Sequence, residues 1–225
     1  MRQLIPELLD QLPAEDPAAI RSRQDLRRIN WFMRNAATIA TAARQHWSGP
    51  PPKRLVDLGA GDGALVLALK KRLGQHWPDL AVTLVDRAAI AAPHANGSWR
   101  TEFIRGEVSD WLNTTRPAAV DVLITNLFLH HFAETELRAL VAGIARVTRL
   151  FVACEPRRSD RALWGCRLLG VIGCNHVTRH DAQASVRAGF AGRELSALWP
   201  TGPEWQLVER PAGLFSHLFI ARRIA

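Results

Sequence analysis

Leu55-Val56-Asp57-Leu58-Gly59-Ala60-Gly61-Asp62-Gly63 is a short apolar run that ends on three glycines at alternate positions. Leu55, Val56 and Leu58 have the pattern of a strand buried on both faces. The glycines permit a sharp turn and a close approach of the backbone to a ligand. Directly afterwards, Ala64 to Leu73 carries Leu65, Leu67, Ala68 and Leu69 at helical spacing, so the free amides of a helix start point back at the turn. A strand, a glycine turn and a helix in this order form a nucleotide-binding unit. Dinucleotide sites read G-x-G-x-x-G/A and leave room for a pyrophosphate. Here the glycines run G-x-G-x-G, and Asp57 and Asp62 place carboxylates beside the turn. Such a turn suits a cationic or amino-bearing ligand and repels a pyrophosphate.

With its leading Asp57, the stretch resembles the first motif of the S-adenosylmethionine-dependent methyltransferases of the Rossmann-like class. The resemblance covers about residues 53–223. It implies an α/β fold with a doubly wound, seven-stranded sheet, mostly parallel with an antiparallel last strand. N-terminal helices and a helical insert after strand five are expected in addition. The expected division is a helical cap over residues 1–52 and a methyltransferase domain over 53–225, with a helical lid at about 157–176.

The chain supplies the expected elements in order. Leu4, Ile5, Leu8, Leu9 and Leu12 make a short stripe before Pro13, and a single longer helix is predicted from about Ala18 to Trp47, stopped by Ser48-Gly49-Pro50-Pro51-Pro52. Ala81 to Asp86 is a second buried strand with an acid at its C-terminal end, where doubly wound folds hold ligands. A strand-end Asp is equally a helix cap; the resemblance assigns Asp86 to the cofactor's ribose hydroxyls. Phe103 to Gly106 reads as strand three, Val120 to Asn126 as strand four, Glu134 to Val147 as a helix and Leu150 to Pro156 as strand five. After the insert, a helix is predicted to end at Gly189 with Thr178 or Asp181 as its cap. Glu194 to Leu198 is predicted as a sixth strand and Leu214 to Ala221 as the last, with a short strand at Trp205 to Glu209.

The resemblance implies a cofactor site built from Asp57, Gly59, Ala60, Gly61, Asp86, Arg87, Glu107, Val108 and Asn126, with S-adenosyl-L-methionine as the cofactor. Leu127-Phe128-Leu129-His130-His131-Phe132 resembles the Leu-His-His segment of small-molecule methyltransferases of the quinone-biosynthesis type, which lines the gap between donor and acceptor. The Asn/Asp-Pro-Pro-Tyr/Phe signature of amino-methylases acting on bases is absent. Trp31, Asn35, His130, His131, Trp164 and His176 are the expected acceptor-binding residues.

Composition narrows the partners. The net charge is +8, carried almost wholly by arginines that are scattered rather than run together, so no nucleic-acid partner is expected. Cys154, Cys166 and Cys174 form neither a Cys-x-x-Cys pair nor an even set, which fits a reducing, cytoplasmic setting without a disulfide framework. Cys174, His176 and His180 lack a fourth nearby ligand, and no metal is expected. No stretch of about 18 apolar residues is present to span a bilayer. The oligomeric state is not legible.

A sulfonium donor carries its own driving force, so the protein must align the acceptor and, for a hydroxyl, remove a proton. The chain has no tyrosine. Histidine is therefore the expected base, with His131 first, His130 its rival and His180 a further candidate. The expected reaction is O-methylation of a phenolic, polyketide or quinol hydroxyl on a small lipophilic acceptor. The alternatives are C-methylation of a quinone-type ring, a basic RNA methyltransferase, and a cofactor-binding protein without catalysis.

Overall fold

The computed structural model describes residues 1–13, 15–88 and 99–224. Seven strands form one sheet: β1 (Arg54–Leu58), β2 (Ala81–Asp86), β3 (Arg100–Arg105), β4 (Val120–Asn126), β5 (Thr148–Pro156), β6 (Trp205–Ala212) and β7 (Ser216–Arg223), in the order β3-β2-β1-β4-β5-β7-β6. β1 to β5 are parallel, and β7 runs antiparallel between β5 and β6. The predicted doubly wound sheet is therefore present. β1 and β4 are neighbours while the chain winds outward from them in both directions, which opens a crevice at their C-terminal ends.

Helices cover both faces: α1 (Pro17–Met33), α2 (Asn35–His46), α3 (Ala64–Leu73), α4 (Val108–Thr114), α5 (Glu134–Val147), α6 (Asp160–Leu168), α7 (His176–Ala188) and α8 (Glu194–Leu198). Strand alternation divides the core between the two faces. Val122, Ile124, Leu150, Val152 and Cys154 pack with Ile39, Leu69 and Leu73 from α2 and α3. Leu123, Phe151 and Ala153 pack with Leu137, Val141 and Ile144 from α5 and with Trp199 after α8. Glu155 follows the second set along β5, so its side chain points to the α5 face.

Four local predictions are corrected. The single helix expected from Ala18 to Trp47 is two helices, because Arg34 adopts a left-handed conformation (φ 57°) between α1 and α2. The residues expected as strand six, Glu194–Leu198, form α8 instead. Their amides at Leu195 and Ser196 donate to the Glu209 carboxylate at 3.0 and 2.7 Å, so an acid from β6 caps the helix, and a five-residue window could not reveal that partner. β6 is the longer run Trp205–Ala212, which accommodates Pro211 because it lies at the sheet edge. The cap of α7 is Asn175, whose side chain accepts from Thr178 N at 2.9 Å; Thr178 and Asp181 lie inside the helix and bond elsewhere.

The end of α7 is fitted closely against β5. Phe190 N donates to the Pro156 carbonyl at 2.9 Å, and a Cβ on Gly189 would stand 2.3 Å from that same oxygen. Gly189→Ala is therefore expected to destabilise the protein by about 1–3 kcal/mol through backbone displacement. Urea denaturation of the variant beside the wild type measures this cost.

Candidate active site

The turn after β1 is built as its glycines require. Gly59, Gly61 and Gly63 have φ of 70°, 51° and 71°. A Cβ on Gly59 would lie 2.1 Å from the Phe128 ring, so the position admits only glycine on both counts. Asp86 fastens the turn, since its Oδ2 accepts from Gly61 N and its Oδ1 from Ala88 N, both at 2.8 Å. Asp57 is 1 % exposed, and neither carboxylate oxygen has a hydrogen-bond partner within the described chain. Burial first, and the charge of Asp86 second, raise its pKa well above the ordinary carboxylate value. A buried, orphaned carboxyl beside a glycine turn lacks a hydrogen-bond donor, which the amino group of a cofactor would supply.

A cavity of about 920 Å³ adjoins this turn. It is lined by Gly59, Asp86, Arg87, Glu107 and Val108, by the apolar Leu4, Ile5, Leu127, Phe132, Leu140 and Ala188, by the acids Glu7, Asp10 and Glu136, and by His130 and His131. The volume is in the range of small-ligand sites. Leu127, directly after β4, has a left-handed φ of 53°, which is costly for a branched side chain. It turns the chain so that the next three amides converge on one acid.

That acid is Glu155, whose side chain is fully buried. Its carboxylate accepts from Phe128 N (3.1 Å), Leu129 N (3.0 Å) and His130 N (3.4 Å), and from His130 Nδ1 at 2.9 Å. His130 Nε2 faces Glu7 Oε1 at 3.7 Å, an ion-pair distance. Burial opposes the charge on His130, but the two carboxylates outweigh it and push its pKa up to about 9. At neutral pH His130 is thus an imidazolium clamped between two acids, with both nitrogens engaged. Glu7 responds in the opposite sense. Burial would raise its pKa, and the bonds from His130 and Ser185 bring it below the ordinary value.

His131 differs from its neighbour in every respect. Its ring centroid is 4.1 Å from that of His130, and it presents an exposed face to the cavity. Desolvation and then the positive charge of His130 lower its pKa, so it is neutral near pH 7. Adjacent histidines therefore hold opposite protonation states.

Residues 2–10 form a strap across the cavity. The Arg2 guanidinium donates to the carbonyls of Ala188 (2.7 Å), His130 (3.0 Å) and Phe132 (3.1 Å) and stacks on the Phe190 ring. Asp181 of α7 accepts from the amides of Leu8 and Leu9 at 2.7 and 3.0 Å. Leu4, Ile5, Pro6, Glu7 and Asp10 of the strap line the cavity.

The other expected site residues are placed as follows. Ala60 is buried behind the turn. Asn126, at the end of β4, accepts from Asn35 Nδ2 at 2.9 Å, and Asn35 Oδ1 accepts from Ser216 Oγ at 2.7 Å, so this pair ties α2 to the sheet. Neither Trp31 nor Trp164 is among the described residues lining the cavity; they are 82 % and 61 % exposed. His176 and His180 line a separate cavity of about 230 Å³, and His180 Nδ1 pairs with Asp181 at 2.9 Å. Two central residues were not anticipated. Glu155 carried the same signal as Asp86, an acid closing an apolar strand, whereas Glu7 carried none. Glu7, His130 and His131 also offer three ligand atoms within 4.8 Å of one another. The thiols are free, and burial pushes those of Cys154 and Cys166 up to about 12 and about 11.

Residues 55–150 match a family model described as a methyltransferase domain. In structure the chain is similar to the plantazolicin methyltransferase BpumL in complex with SAH, at 13 % identity over 96 % of this chain and 94 % of that one, with a TM-score of 0.73. Residues 55–150 thus have the sequence pattern of a methyltransferase domain, and the whole chain shares the fold of such enzymes. The chain is similar to the plantazolicin methyltransferase BamL (11 % identity, 95 % and 92 % of the two chains, TM-score 0.68). It is also similar to the mitomycin 7-O-methyltransferase MmcR (20 % identity, 96 % and 60 %, TM-score 0.60). No curated protein matches the sequence.

The clamp on His130 has a pH signature. The folded pKa of His130, about 9, exceeds its ordinary value of 6.5. Its stabilisation is complete below pH 6.5 and is lost as pH rises through 9. Melting temperature should fall across that window in the wild type and less so in His130→Gln. Glu155→Ala strands a buried cation and three amides, and should cost about 3–5 kcal/mol in chemical denaturation.

Proposed function

We propose that this protein methylates a hydroxyl of a small lipophilic acceptor from S-adenosylmethionine, with His131 as the general base. The observation that carries this reading is the histidine pair: a neutral His131 facing a cavity of mixed polar and apolar lining, beside a His130 that two buried acids keep charged. When bound, S-adenosylmethionine supplies an electrophilic methyl group on a sulfonium. Asp57 and Gly61 would hold its amino acid end, Asp86 and Arg87 its ribose, and Glu107 and Val108 its base. The solved neighbours with SAH support this choice of cofactor.

Each residue at the acceptor end then has a distinct task. Leu4, Ile5, Phe132 and Leu140 exclude water and present apolar surface to the acceptor. His131 accepts the hydroxyl proton, because its lowered pKa leaves it unprotonated at neutral pH. His130 cannot take that proton while it carries its own, so its task is to orient the turn and to keep His131 neutral. Residues 1–52 are read as the cap that closes the site, with the strap as its inner part. The O-methyltransferase neighbours favour a hydroxyl over a ring carbon as the acceptor atom.

His131→Ala should lower turnover by about 10²–10⁴-fold while affinity for S-adenosylmethionine stays near wild type. The residual rate should recover with rising pH, where a hydroxyl ionises unaided. Full activity in this variant would refute the assignment of the base. Asp86→Ala removes two charge-assisted bonds worth about 1.5–3 kcal/mol each, so titration calorimetry should show cofactor binding weaker by about two to four orders of magnitude.

A further inference from the structure

Several large exposed side chains that the cavity does not use, Trp31, Phe32, Trp164, Val171 and Ile172, sit on α1, on α6 and on the turn after α6. Phe32 follows Trp31 at the end of α1 and is 69 % exposed; Val171 and Ile172, in the turn after α6, are 82 % and 57 % exposed. Isolated exposed apolar residues are ordinary, but several on adjoining segments mark a contact surface. The segments do adjoin. Arg21 of α1 donates to the carbonyl of Gly173 at 3.1 Å, and Asn175 N donates to Asp25 of α1 at 3.0 Å. On the other side, the Phe215 ring lies against Gly165 of α6 while its neighbour Ser216 bonds Asn35 at the start of α2.

The surroundings of this face are basic. Residues 17–34 and 160–180 contain eight arginines against two acids, Asp25 and Asp160, and Asp25 is buried in hydrogen bonds. The cavity of about 230 Å³ has His176, Arg179, His180 and Arg187 in its wall and no carboxylate among its described lining. Arg179 Nε stands 3.5 Å from where a Cβ on Gly170 would be, so this cavity adjoins the turn that carries Val171 and Ile172. A basic recess of phosphate size beside protruding apolar side chains has the two-part chemistry of a lipid headgroup above acyl chains. A symmetric second copy would instead set the same arginines against one another.

We propose that this face docks peripherally on an anionic phospholipid surface. A headgroup phosphate occupies the recess of His176, Arg179 and Arg187, and Trp31, Trp164, Val171 and Ile172 enter the acyl boundary, where tryptophan is favoured. No described helix is long and apolar enough to cross a membrane, so the attachment is peripheral. Ile5 and Ala184 line both the recess and the larger cavity, which sets the docked face next to the acceptor end. Delivery of an acceptor from the lipid rests on the reading of that acceptor as lipophilic. Binding to vesicles does not.

The test is sedimentation of the full chain, without acceptor or cofactor, with vesicles of phosphatidylcholine alone and of phosphatidylcholine with about one-third phosphatidylglycerol. The anionic vesicles should bind at least about tenfold more tightly, with steep loss in high salt and a blue shift of tryptophan emission. Val171→Glu with Ile172→Glu, and separately Arg179→Glu, should each weaken binding about tenfold while thermal unfolding is unchanged. Equal binding to both vesicles, or binding to neither, overturns the proposal. So does displacement from anionic vesicles by millimolar inorganic phosphate at constant ionic strength, which would mark a free-phosphate site. Retention by single-stranded RNA in place of vesicles, or a dimer that Val171→Glu dissociates, overturns it as well.

Discussion

The buried carboxylate of Glu155 is the interaction on which the turn carrying His130 and His131 depends. A charge at that depth is tolerable only if it is fully hydrogen-bonded, and the chain meets the demand with three consecutive amides and one imidazole. Those amides can converge because Leu127 accepts a left-handed backbone, and the imidazole can remain charged because Glu7 arrives from the strap. The strain at Leu127, the charge on His130 and the position of residues 2–10 are thus one coupled arrangement. Its centre lies at the end of β5, two strands along the sheet from β1 and its glycine turn.

The same device appears a second time in a structural setting. Glu209 accepts from two amides at the start of α8 and pairs with His217 Nε2 at 2.8 Å, and its pKa falls below the ordinary value because these bonds prevail over burial. There the histidine is buried and faces no large cavity. The comparison separates what a glutamate–histidine pair does for the fold from what it adds at a site. Only at Glu155 does the helix-turn amide cluster place a further, neutral histidine against an apolar wall.

The turn after β1 and the strands and helix around it were legible in the sequence because their signals are local. Three alternate glycines, a strand-end acid at Asp86 and helical spacing from Ala64 to Leu73 each occupy a few consecutive residues, and each has a single backbone meaning. The acceptor side was less legible because its contacts are remote in sequence: Glu7 meets His130, Asp181 meets Leu8, and Glu209 turns Glu194–Leu198 into a helix. Trp31 and Trp164 show the limit from the other direction. Apolar character on a helix states that a surface is wanted, without stating whether a core, a cavity or an outside partner supplies it.

The strap also bears on how the chain comes to be active during synthesis. Residues 2–10 emerge from the ribosome long before Asp181, Ser185 and Ala188, to which they are fastened. The glycine turn and β1 to β4 can close on one another while those partners are still untranslated. A nascent chain at that stage has a formed cofactor turn, but His130 lacks both of its carboxylates in place, since Glu155 is also still to come. The clamp around His130 is therefore completed only after residues 181–188 have been made.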